Sequence, residues 1–456
     1  MMFAASTLEE EMNATQPRCR TLIVGLGATG LSVARYLAPR DTSVCVIDSR
    51  TEPPGLDALR KEYPELRIGL GTLSPNWLDG IERVVLSPGL SVDLDLVRAA
   101  RERGIPVIGD IELFARVVDA PVAAVTGSNG KSTVATLTGH LLTSRGVDTA
   151  TGGNLGPPAL DLLERRPEVY VLEISSFQME TTESLHPMAA ALLNISADHL
   201  DRHQSLAHYA SLKQKLLDAA QLAIYNNDDT LVRAMGMAHP HAIPVSTAYA
   251  PDDGYGVLER DGQRWLARYG KALLPVSELR IRGRHNEGNA LAALALAESV
   301  TGATFDDLTA LRNFTGLAHR CQWVGERRGV TFVDDSKGTN VGATIAALEG
   351  LDGPFVLIAG GQSKGASFAP LGIAAGGRLA GAVVIGEAAD ELQQTLAGIC
   401  PIQRAASMVE AVERAAGLAQ PGMTVLLSPA CASFDMFANY ADRGDKFAAA
   451  VAGLGT

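Results

Sequence analysis

Val122-Ala-Ala-Val-Thr-Gly-Ser-Asn-Gly-Lys-Ser-Thr133 decides the fold. An apolar run ends at Thr126, two glycines follow, and Lys131-Ser132-Thr133 opens a helical pattern. Strand, glycine loop and helix in that order make a phosphate cradle. Gly127 and Gly130 let backbone N–H groups face anionic oxygens, and the helix start adds its positive dipole end. Lys131 is placed to reach terminal phosphates, and the Ser132 or Thr133 hydroxyl to bind Mg²⁺. The spacing departs from the standard P-loop, which has a glycine where Val125 stands. A nucleoside triphosphate site is expected, because an ordinary glycine turn leaves the Lys-Ser pair unexplained.

Outward from this loop, short apolar runs recur and end in Gly, Asn, Asp or Ser. They are Thr21–Gly25, Val44–Asp48, Val84–Ser87, Val122–Thr126, Val169–Ile174, Ala190–Asn194, Ala223–Asn226, Val330–Asp334, Phe355–Gly360, Ala382–Gly386 and Thr424–Ser428. Helical patterns such as Leu31–Leu37, Val134–Leu142 and Asn289–Val300 lie between them. This alternation predicts an α/β protein, with parallel sheets covered by helices on both faces. The pattern restarts near Gly109 and near Gly316, so three domains are expected: 1–109, 110–316 and 317–456. Residues 1–16 read as a loose leader.

Bulk properties narrow the function. At 456 residues the chain exceeds one core, and 46% hydrophobic content suits large buried sheets. A net charge of −12 argues against a nucleic-acid partner, which demands basic surface. Cys19, Cys45, Cys321, Cys400 and Cys431 are scattered with no C-x-x-C pair, so structural disulfides and zinc are not expected and a reducing cytoplasm is. The acidic Leu8–Met12 stretch does not fit a signal peptide, and no apolar run is long enough to insert in a membrane.

Gly25-Leu-Gly-Ala-Thr-Gly30 follows a strand, and Asp48 ends the next one, 18 residues on. This is the dinucleotide fingerprint of a dehydrogenase, with Asp48 on a ribose hydroxyl. The glycines read only a diphosphate, however, and a dehydrogenase leaves Lys131 idle. Glu173, ending the strand after the phosphate loop, is a candidate Mg²⁺ ligand or else a buried helix cap. Asp198, His199 and Asp201 cluster at the next strand end, as metal ligands or as structure. Tyr209 and Lys213 share one helix face, where Lys213 reads by itself as a solvated lysine.

Taken together these motifs resemble the Mur ligases. The matching residues are Thr126–Thr133, Gly152-Gly-Asn-Leu-Gly156, Leu172-Glu-Ile-Ser-Ser-Phe-Gln178 and Asn194-Ile-Ser-Ala-Asp-His-Leu-Asp-Arg202. Gly283-Arg-His-Asn286, Gly316-Leu-Ala-His-Arg320, Asp335-Ser-Lys-Gly-Thr-Asn340 and Ser428-Pro-Ala-Cys-Ala-Ser-Phe-Asp435 continue the series. The likeness runs from about Thr21 to the C-terminus, and the opening and closing motifs favour the glutamate-adding member. It implies an N-terminal Rossmann-like domain for a uridine nucleotide, a central P-loop-type ATPase domain and a C-terminal Rossmann-like domain that binds the amino acid. The implied reaction joins D-glutamate to UDP-N-acetylmuramoyl-L-alanine through an acyl phosphate, releasing ADP and phosphate, in peptidoglycan precursor synthesis. A related substrate, including a folylpolyglutamate-type one, is the alternative, although that type needs no N-terminal nucleotide fold.

The resemblance also implies roles. Gly127, Ser128, Asn129, Gly130, Lys131, Ser132, Thr133, Asn286, Asn289, Arg320 and Asp335 would bind ATP. Ser132 and Glu173 would hold one Mg²⁺, and His199 with a carbamylated Lys213 a second. Lys131, Glu173, His199 and Lys213 form the expected catalytic set. Ala28, Thr29, Asp48, Ser49, Arg50, Ser87 and Gly89 would line the uridine pocket, with Asn154 and Ser175 at the muramoyl-alanine end. Thr339, Lys364, Ser433 and Tyr440 would surround the glutamate. A cytoplasmic monomer is expected. Gly338, Gln362-Ser363 and Ala197 depart from the family pattern beside these sites, and Cys431 reads as packing.

Overall fold

The computed structural model describes residues 19–363 and 365–455. The chain forms two compact units, one of residues up to Pro121 with Ala150–His186, the other of Val122–Thr149 with Pro187 onward. The first unit opens with β1 (Thr21–Val24), β2 (Val44–Asp48), β3 (Arg67–Leu70), β4 (Arg83–Leu86) and β5 (Val107–Ile108). They form a parallel sheet in the order β3-β2-β1-β4-β5. The order reverses direction beside β1, so the loops after β1 and β4 flank a crevice at the strand ends where ligands of such sheets bind.

Strand pairing brings two of the cysteines together. β1 runs in register with β2, Leu22 opposite Cys45, which carries Cys19 beside Cys45 with Cα atoms 5.8 Å apart. Their side chains meet across the strand pair. Their sequence separation of 26 gives no hint of this, because the sheet rather than the spacing brings them together.

β6 (Val122–Thr126) begins the second unit, and the chain returns to the first through β7 (Thr149–Gly153) and β8 (Val169–Glu173). The second unit resumes with β9 (Ala189–Leu192), β10 (Leu222–Asn226), β11 (Ala242–Ser246), β12 (Tyr255–Arg260), β13 (Gln263–Arg268) and β14 (Lys271–Pro275). Within it the strand order is β14-β13-β12-β11-β10-β9-β6. β6 and β9 to β12 are parallel, whereas β12, β13 and β14 form an antiparallel meander that the parallel-sheet expectation omitted.

The same unit ends with β15 (Gln322–Arg327), β16 (Val330–Asp334), β17 (Phe355–Gly360), β18 (Leu379–Ile385), β19 (Ile402–Arg404) and β20 (Thr424–Leu427), ordered β15-β16-β20-β17-β18-β19. Only β15 is antiparallel. Alternate residues of these strands enter two cores. Phe355, Leu357, Val384 and Leu426 pack into one, and Val356, Ile358, Val383 and Val425 into the other. The sheet is thus buried on both faces, as near-continuous apolar strands require.

Among the described residues, no helix is long and apolar enough to cross a membrane. The leader residues 1–16 and the candidate Lys364 lie outside the described residues.

Candidate active site

The phosphate loop joins β6 to the 14-residue helix Lys131–Ser144. Gly127 and Gly130 hold φ of +146° and +86°, and a β-carbon at Gly130 would stand 2.5 Å from the Asn289 Oδ1. Glycine is therefore required on both conformational and steric grounds. Asn289 comes from the buried helix Arg284–Thr301, where its Nδ2 donates to the Asn286 Oδ1 at 2.9 Å.

Two lysines converge on this loop. Lys131 Nζ donates to the carbonyls of Gly127 and Ser128, each at 2.9 Å. Lys213, from the helix Leu206–Asp218, donates to the same Gly127 oxygen at 2.8 Å and lies 4.4 Å from the Tyr209 ring centroid. Lys213 is only 1% exposed, which corrects its reading as a solvated lysine. Its helix face packs inward, and the ammonium finds a carbonyl and an aromatic face there. Tyr209 Oη donates to the Ser128 Oγ, which in turn donates to the Ser196 carbonyl.

His199 takes a left-handed φ of +54° at the start of a one-turn helix, its Nε2 3.6 Å from the Asp198 carboxylate. Asp198 is buried and accepts the Asn340 Nδ2 at 2.8 Å. Arg320 Nη2 donates to the Ser132 Oγ at 2.7 Å. Asp335 accepts from the Ser428 hydroxyl and the Cys321 N–H, and burial pushes its carboxyl up to about 7. Arg320 and Asp335 border a cavity of about 360 Å³ that is also lined by Asn129, Gly130, Thr133, Asn286 and Asn289. Its walls mix glycine backbone, amides and apolar Ile224, Val245 and Ala292, a composition suited to a purine nucleotide.

Among the described residues, no three His, Cys, Asp or Glu side chains form a closed metal site. A hydroxyl at a helix start, single carboxylates and room for phosphate oxygens suit Mg²⁺, which takes one or two carboxylates and keeps waters and phosphates. The chemistry of the donor set fits that ion.

The residues expected to line the uridine pocket lie in the first unit. Asp48 is 2% exposed and accepts the Leu26 N–H at 2.7 Å, the Arg50 N–H at 2.8 Å and both arms of the Arg50 guanidinium. The Arg50 hydrogen bonds hold its carboxyl down to about 2. All its bonding is turned to the loop, so Asp48 braces the glycine turn while exposed Ser49 and Arg50 face outward. Ala28 and Thr29 open the helix Ala28–Leu37, and Ser87 Oγ donates to the Gly25 carbonyl at 3.0 Å. Gly89 is open, with nothing within reach of an added β-carbon.

Asn154 and Glu173 belong to this unit and bond twice: Asn154 Nδ2 reaches the Glu173 Oε1 at 2.5 Å, and its N–H the Glu173 carbonyl at 2.8 Å. Glu173 is not the cap of the following helix. Ser175 is, in a capping box with Gln178.

In the last domain, Thr339 follows the Ser336–Gly338 turn and Ser433 is buried on a second loop. The Ala430 N–H donates to the Gly338 carbonyl at 2.9 Å, which brings the two loops together. Tyr440 opens the final helix, with Lys337 Nζ 3.8 Å above its ring. Arg443, which the sequence reading missed, is fully buried between the loops. Its guanidinium donates to the Ser336 Oγ and carbonyl and to the Cys431 and Ala432 carbonyls. Desolvation lowers it to about 10, so it remains a cation at neutral pH. Cys431 is buried in the core, as its reading as packing anticipated.

Residues 19–109 match the MurD-like N-terminal domain of Mur ligases, 125–297 the Mur ligase middle domain and 319–431 the Mur ligase glutamate ligase domain. The chain is 46% identical to the UDP-N-acetylmuramoylalanine–D-glutamate ligase of Methylococcus capsulatus, covering 96% of this chain and 95% of that one. It is 47% identical to the protein of the same name from Nitrosococcus oceani, covering 96% and 97%. Among solved structures it resembles the UDP-N-acetylmuramate–alanine ligase of Thermotoga maritima at TM-score 0.60 and 19% identity, over 95% of this chain and 99% of that one. It also resembles the MurF ligase of Thermotoga maritima in complex with ADP, at TM-score 0.58 and 17% identity over 96% of each. The three-domain α/β architecture is the one these folds share. The chain belongs to the Mur ligase family.

Proposed function

We propose that this chain is an ATP-dependent ligase that adds D-glutamate to UDP-N-acetylmuramoyl-L-alanine in peptidoglycan precursor synthesis. The observation that carries the reading is the glycine loop, held by Lys131 and Lys213 on one carbonyl, at the edge of a nucleotide-sized cavity. The names of relatives matched over nearly the whole chain supply the substrates.

A carboxylate is a poor electrophile. Transfer of the γ-phosphoryl group to the terminal carboxylate of UDP-N-acetylmuramoyl-L-alanine releases ADP and leaves an acyl phosphate. The D-glutamate amine attacks the acyl carbon, and the tetrahedral species collapses to amide and phosphate. Lys131 and the loop N–H groups stabilise charge on the transferring group. Mg²⁺ supplies further charge neutralisation when bound. Ser132, Glu173, His199 and Lys213 are its proposed ligands, Lys213 as a carbamate. That modification turns a buried cation into an anion suited to a metal.

Asn286, Asn289, Arg320 and Asp335 are assigned to the adenine nucleotide. Ala28, Thr29, Ser49, Arg50, Ser87, Gly89, Asn154 and Ser175 are assigned to the UDP substrate, with Asp48 bracing their loop. Thr339, Lys364, Ser433 and Tyr440 are assigned to D-glutamate. Domain limits of 1–109, 110–316 and 317–456, a cytoplasmic location and a monomeric state complete the reading. Mass spectrometry of the product formed from ATP, Mg²⁺, UDP-N-acetylmuramoyl-L-alanine and D-glutamate tests it. The expected product carries one added glutamyl residue per ADP released, and ADP release without that product contradicts the reading.

A further inference from the structure

Asn340 closes one motif of the last domain, yet none of the roles above uses it. Its side chain is 5% exposed and all four of its hydrogen-bonding positions are occupied. Oδ1 caps the ten-residue helix Val341–Gly350 by accepting the Ala343 N–H at 2.8 Å, and it also accepts the Asn129 Nδ2 at 3.2 Å. Nδ2 donates to the Asn129 Oδ1 at 3.1 Å and to the Asp198 carboxylate at 2.8 Å. A helix cap needs an oxygen and a carboxylate needs a donor, so the amide orientation is fixed at both ends.

Asn129 lies in the phosphate loop, and Asp198 precedes His199, whereas Asn340 is one residue from Thr339. A second close approach lies beside it. A β-carbon on Gly342, in the first turn of the capped helix, would come 2.6 Å from the Ser196 Oγ. Only a glycine lets that turn sit so near the Asn194–Asp198 loop. One amide thus touches the triphosphate loop, the loop carrying the proposed metal ligand and the segment assigned to the amino acid.

We propose that Asn340 is a positioning residue that couples nucleotide occupancy of the phosphate loop to the D-glutamate segment. The inference rests on the ligase reading above. Nucleotide that orders Asn129 favours the Asn129–Asn340 amide pair, and that pair sets Thr339 and the helix behind it. The coupling is reciprocal by linkage, so amino-acid binding must tighten nucleotide binding by the same factor.

Asn340→Ser keeps a good cap but lacks the reach to Asn129 and Asp198, while Asn340→Asp keeps the cap and sets a second carboxylate against Asp198. Isothermal titration of the full-length proteins with a non-hydrolysable ATP analogue, with and without UDP-N-acetylmuramoyl-L-alanine and D-glutamate, reads the coupling. Wild type is expected to bind the analogue more tightly with both substrates present, within the roughly 5- to 150-fold range usual for coupled sites. Asn340→Ser should bind the analogue alone as wild type does and lose that enhancement. Its turnover should fall by a similar factor with its melting temperature unchanged, and Asn340→Asp should be more impaired still. An Asn340→Asp enzyme with wild-type coupling and turnover overturns the proposal, because the residue is then only a cap. A wild type that forms product without any enhancement overturns it too. A wild type that forms no product overturns the ligase reading instead.

Discussion

Lys213 donates from its buried ammonium to the Gly127 carbonyl at 2.8 Å, the same oxygen that Lys131 reaches at 2.9 Å. Two cations on one backbone oxygen define the loop from both sides. Lys131 springs from the helix that the loop opens, and Lys213 from the helix Leu206–Asp218. A triphosphate offers Lys131 a full negative charge, where a peptide carbonyl offers only a dipole.

Lys131→Ala is expected to lower turnover by roughly 10²–10³-fold, the usual loss when one preorganised donor to a developing charge is removed. UDP-substrate binding should persist, because its assigned residues lie in the other unit. Steady-state ADP release and direct binding of the UDP substrate check both halves. Near wild-type turnover would remove Lys131 from the phosphate cradle.

Lys213→Ala should be nearly inactive, and short carboxylic acids added to the buffer should restore part of the activity by supplying the missing anion. Assays with and without acetate read the rescue. A fully active mutant would return Lys213 to a packing role.

The phosphate loop and the glycine turn after β1 were legible because glycine and lysine at strand ends carry local chemistry. All eleven apolar runs became strands. The β12–β14 meander was missed although Asp261-Gly262 and Tyr269-Gly270 mark its turns, where all four residues take positive φ. Its strands are partly exposed and lack the continuous apolar runs used as the signal. Lys213 and Lys215 look alike along the helix, and only packing against the loop distinguishes the first. Arg443 was invisible for the same reason, since its partners are backbone carbonyls far away in sequence.

Asp48 should give acid sensitivity to the first unit. Its folded carboxyl sits near 2 against an ordinary value near 3.8, so its contribution is present above about pH 4 and is lost as pH falls toward 2. With Arg50 half-exposed, that contribution is about 1–2 kcal/mol. Asp48→Asn should melt earlier at pH 7 and show a flatter pH dependence between pH 4 and pH 2. Scanning calorimetry across that window checks it, and an unchanged slope would contradict the bracing role.

Arg443→Met should strand buried carbonyls on both loops assigned to the amino acid, at about 1–3 kcal/mol for each group left unsatisfied. The expected result is a lower melting temperature and a KM for D-glutamate raised by roughly tenfold, equivalent to about 1.4 kcal/mol. Arg443→Lys should recover little, because an ammonium cannot reproduce the fork. An unchanged D-glutamate KM in a folded Arg443→Met enzyme would separate Arg443 from that site.

ADP release with UDP-N-acetylmuramoyl-L-alanine and a panel of D-glutamate, L-glutamate, L-lysine and meso-diaminopimelate tests the central claim most directly. D-glutamate should support turnover far above the others, and release should depend on the UDP substrate. Lys364→Ala should raise the D-glutamate KM by roughly ten- to a hundredfold, the worth of a charged hydrogen bond of ~1.5–3 kcal/mol, and leave the UDP-substrate KM nearly unchanged. Preference for L-lysine or meso-diaminopimelate in the wild type would contradict the account.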